Sequence, residues 1–524
     1  MYIKTSIRKN EYKDSVQLMQ AASSAMNING VDTASLMMGT DNNKDILKES
    51  KLLTNEAKQA SANDIIISIR AKNSDIADQA FKIILEILDK EEIIDEQSEK
   101  TYKSTRSAIE ALPEMNLVAI SVPGEYAARE AKVALEAGKN VFLFSDNVSI
   151  EEEIALKTLA KEKGLIVMGP DCGTAIIKGI GIGFANVVRQ GSIGIVAASG
   201  TGLQEVSSLI HLRGRGVSHA IGTGGRDVKD SIGGLAVISG LDALAEDPDT
   251  KVIIIVSKPP QQKTMENILK HAKTIKKPIV VNFLGADGKA IEKFGFTNAA
   301  TLESASYIAC ALDLDEDISK YQDWVFDDPK EKILQRAEQE YKELSDQQQY
   351  VRGLYAGGTF TSEAVILLSI LLEGEFYSNV SGGKELVDLN KSTKHTIIDL
   401  GDDVFTVGKP HPMIDQTYRK KRVLQEAQDP ETAVILLDFV LGYGSHMDPV
   451  GDMEEVLNKI RSQNQYIPIV AHICGTDIDP QDYKNSFKIL EKFNVISMPT
   501  NAQAVRMAAL IASRGKTILW KEKL

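Results

Sequence analysis

Four short stretches of this chain occur twice, in the same order, and that repeat constrains the fold more than any other feature. IGIVAASGTGLQEVSSLI (193–210) resembles RGLYAGGTFTSEAVILL (352–368) as a strand, a small-residue turn and a helix. GTGGRDVKD (222–230) then resembles LGDDVFTVG (400–408), and KVIIIVSKPP (251–260) resembles AVILLDFVLG (433–442). KPIVVNFLGADG (277–288) finally resembles IPIVAHICGTDI (467–478). Chance rarely preserves such an order, so the pattern predicts two copies of one flavodoxin-like α/β domain. The spacing widens from 158 residues between Gly200 and Gly358 to 190 between Pro278 and Pro468. The second copy has therefore gained residues, around GKPHPMID (408–415) and LGYGSHMDP (441–449). Insertions on a rigid scaffold are common places for function, and these two are dense in His, Asp, Gly and Pro.

Outside the repeat, strand-like and helix-like runs still alternate, as in parallel α/β proteins. YIKTSI (2–7), VDTASLMMG (31–39) and DIIISIRA (64–71) are each followed by a helix-like segment: Glu11–Met26, Asn43–Leu52 and Asp75–Leu88. They form a small N-terminal α/β module, closed by the acidic stretch 89–104, which reads as a linker. LVAISVP (117–123), NVFLFS (140–145) and LIVMGP (165–170) with two intervening helices form a βαβαβ unit. The expected division is 1–103, 104–188, 189–326, a polar helical linker at 327–350, and 351–524. At about 150 residues per domain, 524 residues allow three or four domains.

Composition narrows the classes of function. With 43% hydrophobic and 25% charged residues, the chain is neither disordered throughout nor collagen-like. A net charge of −13 argues against a general nucleic-acid binder, which needs a basic face, yet it leaves room for a local anion site made by backbone amides. Three scattered cysteines, Cys172, Cys310 and Cys474, suit neither a disulfide framework nor a metal cluster. The most apolar stretch, Ala364–Leu372, is far short of the roughly 20 residues of a membrane span. The N-terminus lacks a signal-peptide core, so the expected location is the cytoplasm.

Loops after parallel strands gather on one edge of the sheet, where ligands bind. Ser199, Gly200, Thr201 and Gly202 follow a strand and open a helix, so unpaired N–H groups and the helix dipole can receive a phosphate or carboxylate. A tight strand–helix turn explains the same residues, but Gly357, Gly358 and Thr359 at the equivalent place raise the case for a site. Neither turn has the Lys-Ser/Thr of a P-loop. Gly224, Gly225 and Arg226 lie on the same edge. Arg226 can grip an anion, or simply bond a neighbour such as Asp227. His411, between two prolines, can donate to a carbonyl oxygen or carry a proton, and His446 lies in the other insertion. A structural role fits either histidine alone. No close ligand spacing supports a metal. Cys172 reads as a buried turn residue.

These motifs together resemble a known family. LVAISVP, GKNVFLFSDN and GLIVMGPDCGTAI, followed by GSIGIVAASGTG and IGTGGRDV, resemble the α subunit of succinyl-CoA synthetase. The block from Tyr355 to about Ile511 looks like the ligase domain of its β subunit. The fusion of both, with DLGDDVFTVGKPHPMID and LGYGSHMDP, is similar to the FdrA family of acyl-CoA-synthetase-like proteins, from Ser104 to the C-terminus. The resemblance implies a Rossmann-like CoA-binding-type domain, two flavodoxin-like synthetase domains, and helix starts at Ser199–Thr201 and Gly357–Thr359 that in the synthetase grip a phosphohistidine.

The departures are as informative. The stretch that should carry the phosphorylated histidine reads FGFTNAATLESA (294–305) and has none. The glycine-rich loop that receives CoA and the ATP-grasp nucleotide domain are also missing, so no cofactor is assigned. FdrA-type proteins are associated with two other subunit types in an oxamate carbamoyltransferase of anaerobic allantoin breakdown. The resemblance thus implies one oligomeric carbamoyltransferase subunit, converting oxalurate and phosphate to oxamate and carbamoyl phosphate. In that reading the helix starts hold phosphate, and Arg226, His411, His446 or partner residues act on the carbamoyl group. An acyl-CoA synthetase and a non-catalytic anion-binding scaffold are the alternatives.

Overall fold

The computed structural model describes the whole chain except residues 1, 12, 14, 27, 29, 41, 42, 45, 46, 49, 90–100, 323, 407–409, 464, 518 and 520–524. Two compact units result, Met1–Thr101 and Tyr102–Leu524. The expected linker at 89–104 and the expected helix Asn43–Leu52 fall partly outside the described residues, as does the start of the 408–415 insertion.

The first unit contains β1 (Tyr2–Arg8), β2 (Val31–Met38) and β3 (Ile65–Ala71), with helices Ser15–Met26 and Ser74–Asp89. Its strands are antiparallel, in the order β1-β3-β2, not parallel as the alternating pattern suggests. Periodicity reports which residues face a core, whereas strand direction depends on pairing, and here β3 inserts between two strands linked by a helix. Leu18, Ala21, Ile65, Ile67, Ile69, Phe81 and Ile84 form the core between helices and sheet.

In the second unit β4 (Leu117–Ile120), β5 (Asn140–Leu143) and β6 (Val167–Met168) pair in parallel, with helices Gly124–Glu136 and Ile150–Glu162 between them. This is the expected βαβαβ unit. A hairpin of β7 (Thr174–Ile177) and β8 (Ile180–Gly183) follows, but it joins the next sheet, because β7 pairs antiparallel with β10.

The first repeat contains β9 (Gln190–Ala197), β10 (Val217–Gly222), β11 (Val252–Ser257), β12 (Ile279–Phe283) and β13 (Thr297–Asn298). Their order is β13-β12-β11-β9-β10, all parallel. The second repeat contains β14 (Tyr350–Tyr355), β15 (Phe376–Tyr377), β16 (His395–Asp399), β17 (Thr432–Val440), β18 (Ile469–Cys474) and β19 (Ile496–Met498), in the order β15-β16-β14-β17-β18-β19. Apart from the β7–β8 hairpin on the first sheet and the added strand β15 on the second, both have the flavodoxin-like order 2-1-3-4-5. Runs such as VIIIVS and TAVILLDFV are buried along their whole length, as strands covered on both faces must be.

The two copies share one hydrophobic core that includes Ile195, Leu203, Ile308, Phe360, Val365 and Val505. Helices Gly200–Leu212, Leu302–Asp313, Gly358–Leu371 and Asn501–Ala512 meet there. The expected connecting helix forms at Lys330–Tyr341, but it is not solvated all round: it packs on Asn501–Ala512 and buries Ile333, Ala337 and Glu340. Three residues at spacings of four and three suffice for a narrow contact face even in a polar helix.

Candidate functional site

The two predicted helix starts come together. Ser199 caps the helix Gly200–Leu212, its Oγ accepting the Gly202 N–H at 3.0 Å. The same Oγ lies 2.5 Å from Thr359 Oγ1, at the start of the helix Gly358–Leu371. Thr359 in turn donates its N–H to Thr201 Oγ1 at 3.3 Å. Thr201 and Thr359 are equivalent residues of the repeat, so the copies meet helix start to helix start.

Each start has a carboxyl group beside it. Asp438 at the end of β17 accepts the N–H groups of Ala356 and Gly357 at 2.8 and 2.9 Å. It is fully buried and receives a 2.7 Å bond from Arg419, itself buried and tied to the Leu354 carbonyl. The amides leading into the second helix are therefore already bound to a side chain of this protein. Beyond them, a Cβ on Gly358 would overlap Asp399 Oδ2 and lie 3.6 Å from Lys258 Nζ, so only glycine fits between these groups. Asp399 Oδ1 accepts the Gly401 N–H at 2.9 Å. Burial pushes the Asp399 carboxyl up to about 7, against the pull of Lys258. A proton-holding carboxyl and an exposed ammonium thus flank the second helix start.

His411 borders the same place. Its Nδ1 accepts the Met413 N–H at 3.2 Å, which leaves the proton of the neutral ring on Nε2. A Cβ on Gly401 would meet that Nε2 and would lie 2.8 Å from the Ala356 carbonyl. Burial lowers the His411 pKa to about 4, so near neutral pH the ring is an uncharged N–H donor. His446 belongs to the adjoining loop: its backbone N–H donates to Met413 O at 2.8 Å, and its Nδ1 accepts from Asp448 N–H at 3.0 Å. The insertions are thus stitched together, with His411 and His446 both half-buried.

The first helix start opens on a cavity of about 20 Å³ lined by Asp171, Thr174, Ser199, Gly200, Gly224 and Gly225. That volume takes one water-sized group. Gly224, with φ of 79°, is required there, since a Cβ would run into the Pro170 carbonyl. Burial, with the charges of Asp146 and Asp403, pushes Asp171 up to about 6. Buried Cys172 is driven up to about 12 by desolvation, which suits a turn residue and not a nucleophile.

Arg226 has a different setting from either sequence reading. Its Nη2 donates to Val148 O and ion-pairs with Glu153, both at 2.8 Å. Glu153 is fully buried and shares Lys157 with Asp227, at 2.7 and 2.8 Å. Asp227 spends its oxygens on the N–H groups of Ala236 and Val237. Arg226 therefore fastens the 104–188 segment to the first copy, and Glu153, not Asp227, is its carboxylate. Lys258 and Asp399 were not singled out from sequence, although both end strands on the ligand-binding edge. Among the described residues no group of His, Cys, Asp and Glu is placed to hold a metal.

Comparison with known proteins matches this architecture. The CoA-ligase family model matches residues 354–511, and the CoA binding domain model matches 188–285, on the first copy and not on 104–188. Residues 1–105 match the "AllF, heavy metal-associated domain" model. That segment contains neither Cys nor His, the soft and borderline ligands a heavy-metal site needs, so its residues do not fit such a metal. A succinate–CoA ligase α-2 subunit of Trichomonas vaginalis is 31% identical over 35% of this chain and 61% of its own. The sulfoacetate-CoA ligase subunit SqwL of Acholeplasma is 27% identical over 38% of this chain and 68% of its own. A solved dinucleotide-forming acetyl-coenzyme A synthetase from Ca. Korarchaeum cryptofilum aligns with 80% of this chain and 88% of its own at 16% identity, with a TM-score of 0.33. YahF of Escherichia coli K12 is 40% identical across 98% of this chain and 100% of its own. With that identity over nearly two whole chains, and with ligase-type and CoA-binding-type domains in place, the protein belongs to the FdrA-type family of succinyl-CoA-synthetase-like proteins.

Proposed function

We propose that the chain is one subunit of a carbamoyltransferase that uses phosphate to split oxalurate into oxamate and carbamoyl phosphate. The observation that carries this reading is the fate of the stretch 294–305. It has no histidine to carry phosphate, and its residues 301–305 are buried at the start of the helix Leu302–Asp313. Without a carrier, group transfer suits a substrate that already holds its activated group.

In this reading phosphate lies at the start of the helix Gly358–Leu371, beside the Lys258 ammonium. A phosphate oxygen attacks the ureido carbonyl carbon, and the bond from that carbon to the amide nitrogen of oxamate breaks. Phosphate loses a proton and the leaving nitrogen gains one, and Asp399 is placed to pass it. The His411 Nε2–H donates to the carbonyl oxygen as negative charge develops. Positioning and electrostatic stabilisation do most of the work. Partner subunits complete the site, and the reaction runs in the cytoplasm; among the described residues no helix is long and apolar enough to cross a membrane.

A second reading, an acyl-CoA ligase, is favoured by the matched family models and by relatives that are CoA-ligase subunits. One assay separates the two. Purified with its partner subunits, the protein should form carbamoyl phosphate from oxalurate and phosphate without ATP. No product from a panel of ureido acids would sink the carbamoyl reading, and ATP- and CoA-dependent thioester formation would establish the other.

A further inference from the structure

A cavity of about 330 Å³ lies at the opposite end of the helix Gly200–Leu212 from the candidate site, about 18 Å away along the helix axis. It opens where both copies meet, with Arg213 from one side and Tyr483 and Phe487 from the other. The volume falls in the lower range of small-molecule sites.

Its walls are aromatic. The Arg213 guanidinium lies 3.8 Å from the centre of the Tyr307 ring and 5.2 Å from that of Tyr321. Tyr483 and Phe487 make an edge-on pair at 5.0 Å. Arg213 donates to Tyr321 OH at 3.1 Å, and among the described residues it has no carboxylate within ion-pair distance. A cation flattened on aromatic rings keeps several N–H donors for a ligand. Asp327 stands at the same cavity, its Oδ2 accepting from Tyr307 OH at 3.1 Å and from Gln503 Nε2 at 3.0 Å. One cation beside one carboxylate tolerates a single negative group on the ligand and repels a second.

We infer that this cavity is a binding site for an aromatic monocarboxylate, its ring held against the partly exposed Tyr483 and Phe487 and its carboxylate on Arg213, which Tyr307 backs from beneath. The site does not depend on the chemistry proposed at the helix starts. It has a built-in reporter: Trp324 packs edge-on against Tyr307 at 5.8 Å, and among the described residues its buried indole N–H has no acceptor.

The test uses the full chain with 1-naphthoate, followed by calorimetry and by Trp324 fluorescence in a Trp520→Phe background. One-site saturable binding is expected, at least tenfold tighter than that of the neutral 1-naphthylmethanol. Arg213→Gln should weaken the acid at least tenfold and leave the alcohol unchanged. Absence of saturable binding up to 5 mM, roughly the weakest affinity worth assigning to a site, would overturn the inference. So would equal affinity for acid and alcohol, a comparison made on the unaltered protein and independent of how the variant folds.

Discussion

Glu205 and Glu363 stand five residues after the equivalent glycines Gly200 and Gly358, and each caps the last helix of the opposite copy. Glu363 Oε1 accepts the N–H of Leu302 at 2.8 Å, and Glu205 Oε1 accepts that of Asn501 at 3.3 Å. The contact is reciprocal, as in an isologous dimer interface, but is made within one chain. The exchange is not fully symmetric. Glu205 also meets His472 at 2.7 Å, whereas Glu363 meets Asn501 Nδ2 at 2.8 Å. Glu303, which binds Arg506 and Thr500, extends the same polar seam.

Glu205→Ala should cost about 3–5 kcal/mol, because it strands His472 in the buried seam without its carboxylate. Chemical denaturation monitored by circular dichroism reads this. A loss below about 1 kcal/mol would mean that the pair adds nothing net.

Burial pushes Glu363 up to about 7, against the Leu302 N–H and the Asn501 side chain. A carboxyl raised in the folded state binds its proton more tightly than in the unfolded chain. Its contribution is complete below about 4.5 and is lost as pH rises through about 7. Burial lowers His411 to about 4, which acts in the opposite sense, removing stability as pH falls from 6.5. Glu363→Gln should therefore flatten the decline of the melting temperature between pH 5 and pH 8, relative to the parent. An unchanged slope would contradict a protonated Glu363.

At the helix starts, Asp399 has to carry its proton to deliver it. Turnover should fall above about pH 7. Asp399→Asn should lower kcat by about 10² and abolish that limb of the profile. Retention of both the rate and the limb would remove Asp399 from the chemistry.

Arg226→Ala should destabilise the protein by about 1–3 kcal/mol, since it leaves one oxygen of buried Glu153 without its cation. The dependence of the rate on phosphate concentration should stay the same. A tenfold rise in the phosphate KM at unchanged stability would return Arg226 to the anion site.

Gly224→Ala should cost about 1–3 kcal/mol, from positive φ and from overlap with the Pro170 carbonyl. Gly225→Ala is the paired control, because its nearest neighbour is 4.0 Å from the new methyl group. Urea midpoints of the two variants should separate clearly.

Much of this was legible in the sequence, and the misses share one cause. The order of four matching stretches gave both flavodoxin-like domains, and SGTG and GGT marked both helix starts. The sequence offers Arg226 an anion or a neighbour such as Asp227, because the partner it finds in the fold, Glu153, lies far away in sequence. Lys258 and Asp399 were overlooked because KPP and DLG are ordinary strand ends until a glycine in another segment comes between them. The antiparallel first sheet differs from the parallel expectation, and the β7–β8 hairpin has no reading in the sequence, for a related reason, since pairing partners are chosen by the rest of the fold.

The chain's own letters thus determined the local structure, the repeat and the absence of a carrier histidine, because helix, strand and turn preferences act over a few residues and residue identity is explicit. Tertiary structure alone decided that Thr201 meets Thr359, that Asp438 occupies the amides leading into the second helix, and that Lys258 and Asp399 face each other across Gly358. Those relationships join residues 80 to 160 positions apart. Their energies come from burial and charge in a shared interior, which no local pattern encodes.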